Sequence, residues 1–303
     1  MASWPVLVAL LAAGCSVVTI GDQPRGAGAH TSVSRTPQAS PSPSADPPKV
    51  SLSRFVAGDG TRITLARFSG AVTYRLHSGS GDPGSAALRV VQAGPRVSAA
   101  EQRVLLGAFN GGFKLSTGSG GYEQEGHVIA PLRRGVASLV IDTSGHAQIG
   151  VWGNWMPLPG EAVYSVRQNL GLLVSGGQVT ASASRWRRWG ATLGGGEVVA
   201  RSALGQDAAG DLIYAASMAT TPADLAAALV SAGARAAMEL DINPEWVQLD
   251  VASQPGGQLS GAVPGQHRPA DQYLVGWTRD FITVLGSPAE PQSPAAAVST
   301  PGG

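Results

Sequence analysis

Short segments that alternate apolar and polar residues recur along this chain, and they constrain its fold more than any other feature. Successive side chains of a β-strand point to opposite faces, so a period of two indicates a strand with one buried face. Turns at residues 69–70, 142–145 and 207–210 separate pairs of such segments and predict three hairpins. We predict strands over residues 61–68, 71–77, 105–109, 136–141, 147–152, 198–204, 212–217, 236–242, 273–277 and 281–285.

Helix-forming sequence is scarce beside these strands. One long helix is predicted over residues 222–232, because Thr221 can cap it, Pro222 suits its first position and Asp224 favours its N-terminal end. A shorter helix is predicted over residues 98–104. Few helices beside many strands predict an α+β fold, with a large mixed or antiparallel sheet that is covered on one side.

Residues 1–20 resemble an export signal. Leu-Ala-Ala-Gly-Cys at 11–15 ends an apolar run and resembles the lipobox of bacterial lipoproteins, in which the cysteine, here Cys15, is lipidated. No Lys or Arg precedes the run, and residues 4–20 are close to the length of an uncleaved anchor. Both interpretations predict export, with the protein anchored in the membrane and facing the outside of the cell.

Proline, serine and alanine dominate the next segment, residues 21–50, and also the C-terminal residues 287–303. Such segments bury too little apolar surface to offset the entropy of ordering, so we predict a disordered tether and a disordered tail. The folded domain is therefore expected over residues 51–286. Cys15 is the only cysteine, so the fold contains no internal disulfide.

The charge balance argues against a nucleic-acid partner. The chain has 21 basic and 20 acidic residues, and its densest basic cluster, residues 185–189, is too short for a nucleic-acid site. Trp186 and Trp189 flank two arginines in this cluster. Aromatic rings beside cations suit sugar stacking or a lid, and an exposed loop fits the same residues equally well.

Polar residues concentrate in segment 237–246, directly after the predicted long helix. On a strand, Glu239, Asp241 and Asn243 share one face and the apolar residues between them share the other. Two carboxylates and an amide aimed the same way could build a site. A half-exposed strand with a polar outer face explains the same pattern, and periodicity does not separate the two interpretations.

Three other segments carry candidate site residues. Asn110 precedes Gly111 and Gly112, and paired glycines let a backbone approach a ligand closely, although an Asn-Gly turn is the alternative. Glu125 lies in a polar segment for which a solvated loop is the default. Arg201 lies within an apolar strand, where its guanidinium needs either a ligand anion or a structural carboxylate.

No metal or cofactor is predicted. His127 has no second histidine or cysteine at ligand spacing. Asp241, Asn243 and Glu245 offer oxygen ligands of the kind that calcium or magnesium binds, but they are too few to predict a site. Nucleophile-elbow, phosphate-loop, zinc and dinucleotide motifs are all absent from the sequence.

Taken in chain order, these motifs resemble those of the phosphodiester glycosidase family, named for the enzyme that removes N-acetylglucosamine from a phosphodiester. The resemblance extends over roughly residues 87–285. Leu240 and Asp241 match the end of the family pattern, but bulkier residues at 242–246 replace the glycines and serine that follow there. The other matching segments are Asn-Gly-Gly-Phe at 110–113, Glu-Gly-His-Val-Ile at 125–129, Leu-Leu-Val-Ser-Gly-Gly at 172–177 and Arg-Ser-Ala-Leu-Gly at 201–205.

The resemblance implies an exported hydrolase that cleaves a sugar from a sugar-1-phosphodiester of the cell envelope. It implies Asp241 as the main catalytic carboxylate, with Glu239 or Glu125 as the second, and Arg201 as the residue that holds the phosphate. The substrate-binding residues that it implies are Asn110, Gly111, Gly112 and Asn243.

A non-catalytic envelope module that binds a glycan or a partner protein is the alternative function. An enzyme requires Arg201, Asp241 and a second carboxylate to converge on one open pocket, whereas a binding module does not. The structure can therefore distinguish the two.

Overall fold

The computed structural model describes residues 46–154, 156–157, 160–190 and 195–286, which belong to one compact unit. The predicted signal with Cys15, most of the tether and the tail lie outside the described residues. No helix among the described residues is long and apolar enough to cross a membrane.

The described chain is built mainly of short strands. Its α-helices are α1 (Ser85–Leu88), α2 (Ala99–Gln102), α3 (Pro222–Ser231) and α4 (Gln272–Val275). Its strands are β1 (Lys49–Val56), β2 (Arg62–Ser69), β3 (Val72–His77), β4 (Leu105–Asn110), β5 (Tyr122–Gln124), β6 (His127–Ala130), β7 (Ala137–Asp142), β8 (Ala147–Val151), β9 (Val163–Gln168), β10 (Leu172–Ser175), β11 (Gln178–Val179), β12 (Val199–Gln206), β13 (Leu212–Thr220), β14 (Ala236–Glu239), β15 (Leu249–Val251), β16 (Ser260–Gly261) and β17 (Phe281–Gly286).

The strands form three antiparallel sheets, so the predicted α+β class is confirmed. The first sheet has the strand order β1-β2-β13-β12-β14-β10-β11, the second β16-β15-β4-β17-β3 and the third β6-β5-β9-β7-β8. Two of the three predicted hairpins are present, because β7 pairs with β8 and β12 pairs with β13. Helix α3 begins as predicted, with the Thr221 side chain accepting a hydrogen bond from the Asp224 N–H.

The three sheets enclose one apolar core. Phe68 and Tyr214 of the first sheet pack on Phe109 of the second, with ring centroids 5.9 and 5.2 Å from the Phe109 centroid, respectively. Leu139 of the third sheet belongs to the same buried cluster. Leu225 of α3 packs on the opposite face of the first sheet. The large sheet is therefore covered on both faces, and not on one face as predicted.

The hairpin predicted around residues 69–70 is wrong. Strand β2 pairs with β1 on one edge and with β13 on the other, so no edge remains for β3. Strand β3 pairs instead with β17 in the second sheet. The short turn therefore carries the chain from one sheet to another. Strand β2 forms its hairpin with β1, which begins inside the segment predicted as tether.

The strand predicted over residues 273–277 is also wrong, because this segment contains α4. Tyr273 lies in α4, and Trp277 lies just beyond its end. Both rings are buried, and the Tyr273 ring stacks on Phe281 at 4.6 Å. A short apolar run does not by itself distinguish a helix from a strand.

Candidate functional site

A cleft of about 720 Å³ opens where the loops that follow β4, β9 and β14 meet the start of β12. Among the described residues that line it, Asp241 is acidic, and Lys114, Arg187 and Arg188 are basic. The other described lining residues are Phe113, Thr117, Gly118, Ser119, Leu170, Gly190, Val199, Ala200, Met218, Ile242, Asn243, Pro244 and Trp246.

Asp241 reaches the cleft because β14 ends two residues earlier, at Glu239. Its Oδ1 accepts hydrogen bonds from the N–H groups of Ile242 and Asn243, at 2.7 and 2.9 Å. Its Oδ2 lies 3.7 Å from Nη2 of Arg279. The tight turn thus occupies one carboxylate oxygen, and the second oxygen is left beside a cation.

Burial raises the pKa of the Asp241 carboxyl to about 7. The Arg279 guanidinium and the two backbone N–H donors act in the opposite direction, while Asp280 raises the pKa further. Asp241 is 2% exposed, which is consistent with desolvation as the largest cause. A carboxyl with this pKa can exchange a proton near neutral pH, as a general acid or base requires.

Arg201 and Glu239 do not line the cleft. Nη1 of Arg201 donates to Oε1 of Glu239 at 2.7 Å, and both side chains are fully buried. Three further hydrogen bonds run from the guanidinium to the carbonyl oxygens of Trp189, Glu197 and Thr220. The expected convergence of Arg201, Glu239 and Asp241 on one open pocket is therefore wrong. The structure contains the alternative, a structural ion pair.

This separation of the carboxylates follows from the length of β14. The predicted strand over residues 236–242 would place Glu239 and Asp241 on one face, but the regular register with β12 ends at Glu239, and Leu240 and Asp241 both bond to the backbone of Ser202. Burial raises the pKa of Glu239, and the Arg201 guanidinium opposes this shift. Glu239 is thus enclosed between strands while Asp241 lies in the turn that follows.

Asn110 also has a structural position. Its amide donates to the Gly111 carbonyl and to Oγ of Ser202, both at 2.9 Å, and its Oδ1 accepts from the Tyr214 hydroxyl at 2.8 Å. The side chain is 2% exposed. Asn110 therefore links the first and second sheets and is not one of the described lining residues.

Gly111 and Gly112 are required by close packing within the protein. A Cβ on Gly111 would lie 2.0 Å from Oδ2 of Asp280, and one on Gly112 would lie 2.9 Å from Cζ of Arg167. Their backbones approach a buried ion pair, in which Nε of Arg167 lies 2.7 Å from Oδ2 of Asp280. The predicted close approach is present, but it is made to protein groups.

The contacts of Glu125 lie outside the cleft that contains Asp241. Glu125 occupies the β5–β6 turn with a φ of 54°, and its carboxylate accepts the N–H groups of Gln92 and Ala93 at 2.6 and 2.8 Å. It does not line the cleft. Its contacts tie the turn to a neighbouring loop, so it does not supply the second carboxylate of the cleft.

Asn243 does line the cleft, but the oxygen ligands considered for a cation diverge. Oδ1 of Asn243 accepts the Glu245 N–H at 3.0 Å. The Glu245 carboxylate pairs instead with His267, at 2.7 Å, and with Arg268. Within the described ranges, no group of three or more His, Cys, Asp or Glu side chains could hold a metal ion.

Arg279 is a site residue that the sequence did not identify. Its guanidinium pairs with Asp82 at 2.6 Å, donates to the Gly112 carbonyl at 2.7 Å and lies 4.5 Å from the centroid of the Trp246 ring. It therefore connects Asp241 to the buried Arg167–Asp280 pair. The available clue was an Arg-Asp dipeptide immediately before a buried strand, in a chain with only 14% charged residues.

Residues 104–241 match the model of the phosphodiester glycosidase family. This confirms the predicted resemblance to that family over residues 104–241. At the level of the family, the match supports a glycosidase-type hydrolase. No curated protein sequence matches the chain.

Two solved structures are similar at low identity. One is the zebrafish N-acetylglucosamine-1-phosphodiester alpha-N-acetylglucosaminidase catalytic domain auto-inhibited by its pro-peptide, at 15% identity and a TM-score of 0.49, covering 82% of this chain and 85% of that one. The other is a hypothetical protein from Synechocystis, at 14% identity and a TM-score of 0.44, covering 79% of this chain and 62% of that one. Scores this low do not carry a function to this chain.

Replacing Gly111 with alanine should destabilise the fold strongly. The new Cβ would clash with Asp280, which cannot move aside because it is paired with Arg167 and accepts the Gly111 N–H through its carbonyl. We expect the free energy of unfolding to fall by about 2–4 kcal/mol in urea titrations. Gly171→Ala is the matched control, because its Cβ meets open space and should change stability by less than about 1 kcal/mol. An unchanged urea midpoint for Gly111→Ala would contradict this account.

The free energy of unfolding should fall as pH rises from about 4 to about 7. Burial raises the folded-state pKa of both Asp241 and Asp250 to about 7, from 3.8, so the folded protein keeps protons that the unfolded chain has lost. The stability that these two carboxyls contribute is fully present below their pKa in the unfolded chain, and it is lost as the pH rises through their pKa in the folded protein. Urea titrations at half-unit pH intervals measure the slope.

Asp241→Asn should make that slope shallower, because an amide does not titrate. Asp59→Asn is the control, since the Asp59 carboxylate is exposed and its pKa is lowered by hydrogen bonds from Thr61. A slope in Asp241→Asn equal to that of the wild type would mean that the pKa of Asp241 is not raised.

Proposed function

We propose that this protein is an exported hydrolase that cleaves the sugar from a sugar-1-phosphodiester of the cell envelope. The observation that carries this proposal is the position of Asp241 in a cleft lined by Lys114, Arg187 and Arg188. Such a cleft offers one proton-exchanging carboxyl to the reacting carbon and several cations to a phosphate. The family match supports the glycosidase part of the proposal.

In the proposed reaction, Asp241 acts as the general base through Oδ2, its less occupied oxygen. It takes a proton from water while the water oxygen attacks the anomeric carbon. The bond from that carbon to the phosphate oxygen breaks, and its electron pair leaves with the phosphate monoester. This leaving group is a weak base, so its charge needs stabilisation more than it needs a proton.

We assign phosphate binding to the cations of the cleft, and not to Arg201. Four hydrogen bonds hold the Arg201 guanidinium to groups of the fold. Lys114 lies over the Trp246 ring at 5.0 Å, and Arg187 lies over the Trp186 ring at 4.3 Å. Both side chains are exposed, and no described ion pair involves them, so they are available to an anion.

A non-catalytic binding module is the second candidate, and it is favoured because neither Arg201 nor a second carboxylate joins Asp241 in the described part of the cleft. Asp241 has no second carboxylate beside it among the described lining residues, whereas ordinary glycoside hydrolysis uses two. The same cleft would then bind a glycan or sugar phosphate without turnover. Catalysis by one carboxylate requires a good leaving group, so the two candidates separate on whether sugar phosphodiesters are hydrolysed.

Asp241→Asn should abolish turnover while the fold persists. The substrates are methyl esters of hexose and N-acetylhexosamine 1-phosphates, and release of reducing sugar is the measurement. Loss of a general base costs about 10²–10⁴-fold in rate. For the wild type, kcat/KM should rise with pH through about 7 and level off above it, because the base must be ionised and burial raises its pKa to about 7.

Glu245→Gln is the matched control, since this nearby carboxylate pairs with His267 and Arg268 and is not one of the described lining residues. It should retain wild-type turnover, and circular dichroism and the thermal midpoint should show that both variants fold. An active, folded Asp241→Asn would remove Asp241 from catalysis. Activity that is highest below pH 6 would mean that Asp241 acts as an acid. A wild type that hydrolyses none of the esters would favour the binding module.

We also propose that the chain is exported and anchored through Cys15. The support is the lipobox-like sequence at residues 11–15 and the Pro- and Ser-rich segment that follows it. Cells that express the full chain should incorporate radiolabelled palmitate into it, and the protein should fractionate with membranes. Cys15→Ser should lose the label and Ser16→Ala should keep it. If the wild-type protein fractionates with membranes but incorporates no palmitate, this would instead indicate an uncleaved anchor.

A further inference from the structure

The wall of the cleft is more apolar than a sugar-binding site requires. Its described polar side chains, apart from the charged ones, are Thr117, Ser119 and Asn243, and all three already have a hydrogen bond within the protein. Oγ1 of Thr117 donates to the Lys114 carbonyl, and Oδ1 of Asn243 accepts a backbone N–H. The apolar lining residues are Phe113, Leu170, Val199, Ala200, Met218, Ile242, Pro244 and Trp246.

The apolar residues form a packed surface. At Gly190 a Cβ would lie 2.6 Å from Cδ1 of Ile242 and 2.8 Å from Cζ of Phe113, so the missing side chain lets three segments meet without a polar group between them. Val198 is 53% exposed and precedes Val199 of the cleft wall. Met218 lines both the cleft and a smaller cavity of about 180 Å³ that includes Val263. This smaller cavity also contains Arg54 and Arg62, so the apolar surface extends beyond the cleft on the Val198 side.

Size and hydrogen bonding both argue for a ligand larger than a sugar. A volume of about 720 Å³ lies in the range of pockets that enclose drug-sized molecules, about 300–1,000 Å³, so space remains beside one sugar ring. Sugar hydroxyls buried without hydrogen-bond partners would lose affinity. A hydrocarbon chain gains affinity from the same surface, because its burial removes apolar area from water.

The charges complement an anion attached to such a chain. Lys114, Arg187 and Arg188 line the same cleft as the apolar residues, and the burial of Asp241 keeps part of its population neutral near pH 7. Cations beside an apolar groove match an amphiphile with a phosphate head. An uncharged lipid would leave the cations unused, and a polar glycan would leave the apolar wall unused.

We propose that the ligand of this cleft is an amphiphilic phosphodiester, in which the group across the phosphate from the sugar is a hydrocarbon chain. Lys114, Arg187 and Arg188 hold the phosphate, and the chain lies along Val199 and Met218. That the chain-bearing phosphate monoester is the leaving group rests on the proposed hydrolase function. Binding of a chain-bearing phosphate does not depend on hydrolysis.

The test compares two phosphate monoesters, ethyl phosphate and decyl phosphate, bound to the full chain below the concentration at which decyl phosphate forms micelles. Titration calorimetry at pH 7 measures Kd. Decyl phosphate should bind at least about 50-fold more tightly, because each buried methylene contributes roughly fourfold and burial of three of them suffices. Decanol should bind more weakly than decyl phosphate, since it lacks the anion.

Substitutions inside and outside the cleft test whether the cleft causes the difference in Kd between the two phosphates. Met218→Gln preserves side-chain volume and should reduce the ratio of the two Kd values at least about fourfold, while Val128→Gln, at an exposed valine outside the cleft, should leave the ratio unchanged. Arg188→Gln should weaken both phosphates by a similar factor. Equal Kd values for ethyl and decyl phosphate in the folded wild type would overturn the proposal, as would a Val128→Gln ratio reduced as much as that of Met218→Gln.

Hydrolysis of the methyl and decyl esters of one sugar 1-phosphate separates this proposal from the proposed function. If neither ester is hydrolysed but decyl phosphate binds more tightly, the hydrolase function fails and the amphiphile site stands. If both esters are hydrolysed with equal kcat/KM and the two phosphates bind equally, the hydrolase function stands and the amphiphile site fails. A kcat/KM at least about 50-fold higher for the decyl ester supports both.

Discussion

A buried ion pair between Arg167 and Asp280 determines how the loops around the cleft are arranged. Arg167 lies in β9 of the third sheet, and Asp280 immediately precedes β17 of the second. The backbone of residues 111–113 lies against the pair, with the Gly112 N–H bonded to Asp280 and the Phe113 carbonyl bonded to Arg167. Removing one partner of such a pair leaves a buried charge uncompensated, which costs about 3–5 kcal/mol. The loops therefore keep this geometry, and Arg279 extends it to Asp241.

This frame explains why several residues of the family-like motifs have structural roles in this chain. Gly111 and Gly112 leave room for Asp280 and Arg167, Asn110 joins two sheets, and Arg201 neutralises Glu239. Each of these residue types is also suited to binding a ligand. The difference is burial: polar side chains enclosed between sheets must satisfy one another, because water does not reach them.

The chemistry of the cleft comes instead from the ends of strands. Asp241 faces the cleft because β14 stops at Glu239, and its pKa is near neutrality because burial outweighs the lowering effects of Arg279 and the turn amides. The segment at 242–246, which departs most from the family pattern, supplies Ile242 and Pro244 to the apolar wall and the Trp246 ring between Lys114 and Arg279. The same bulky residues thus give the cleft an apolar wall, a surface suited to a hydrocarbon chain.

Periodicity and capping alone determined most of the local structure, including α3, the β7–β8 and β12–β13 hairpins and the buried strands β4 and β17, because these depend on neighbours in sequence. Motif order predicted the resemblance to the family, and two of the site residues predicted with it, Asp241 and Asn243, line the cleft. Only the tertiary structure decided which strands share a sheet, as at β2 and β3, and which polar residues face each other. The partners of Arg167 and Arg201 are 113 and 38 residues away along the chain, and no local pattern encodes contacts of that separation.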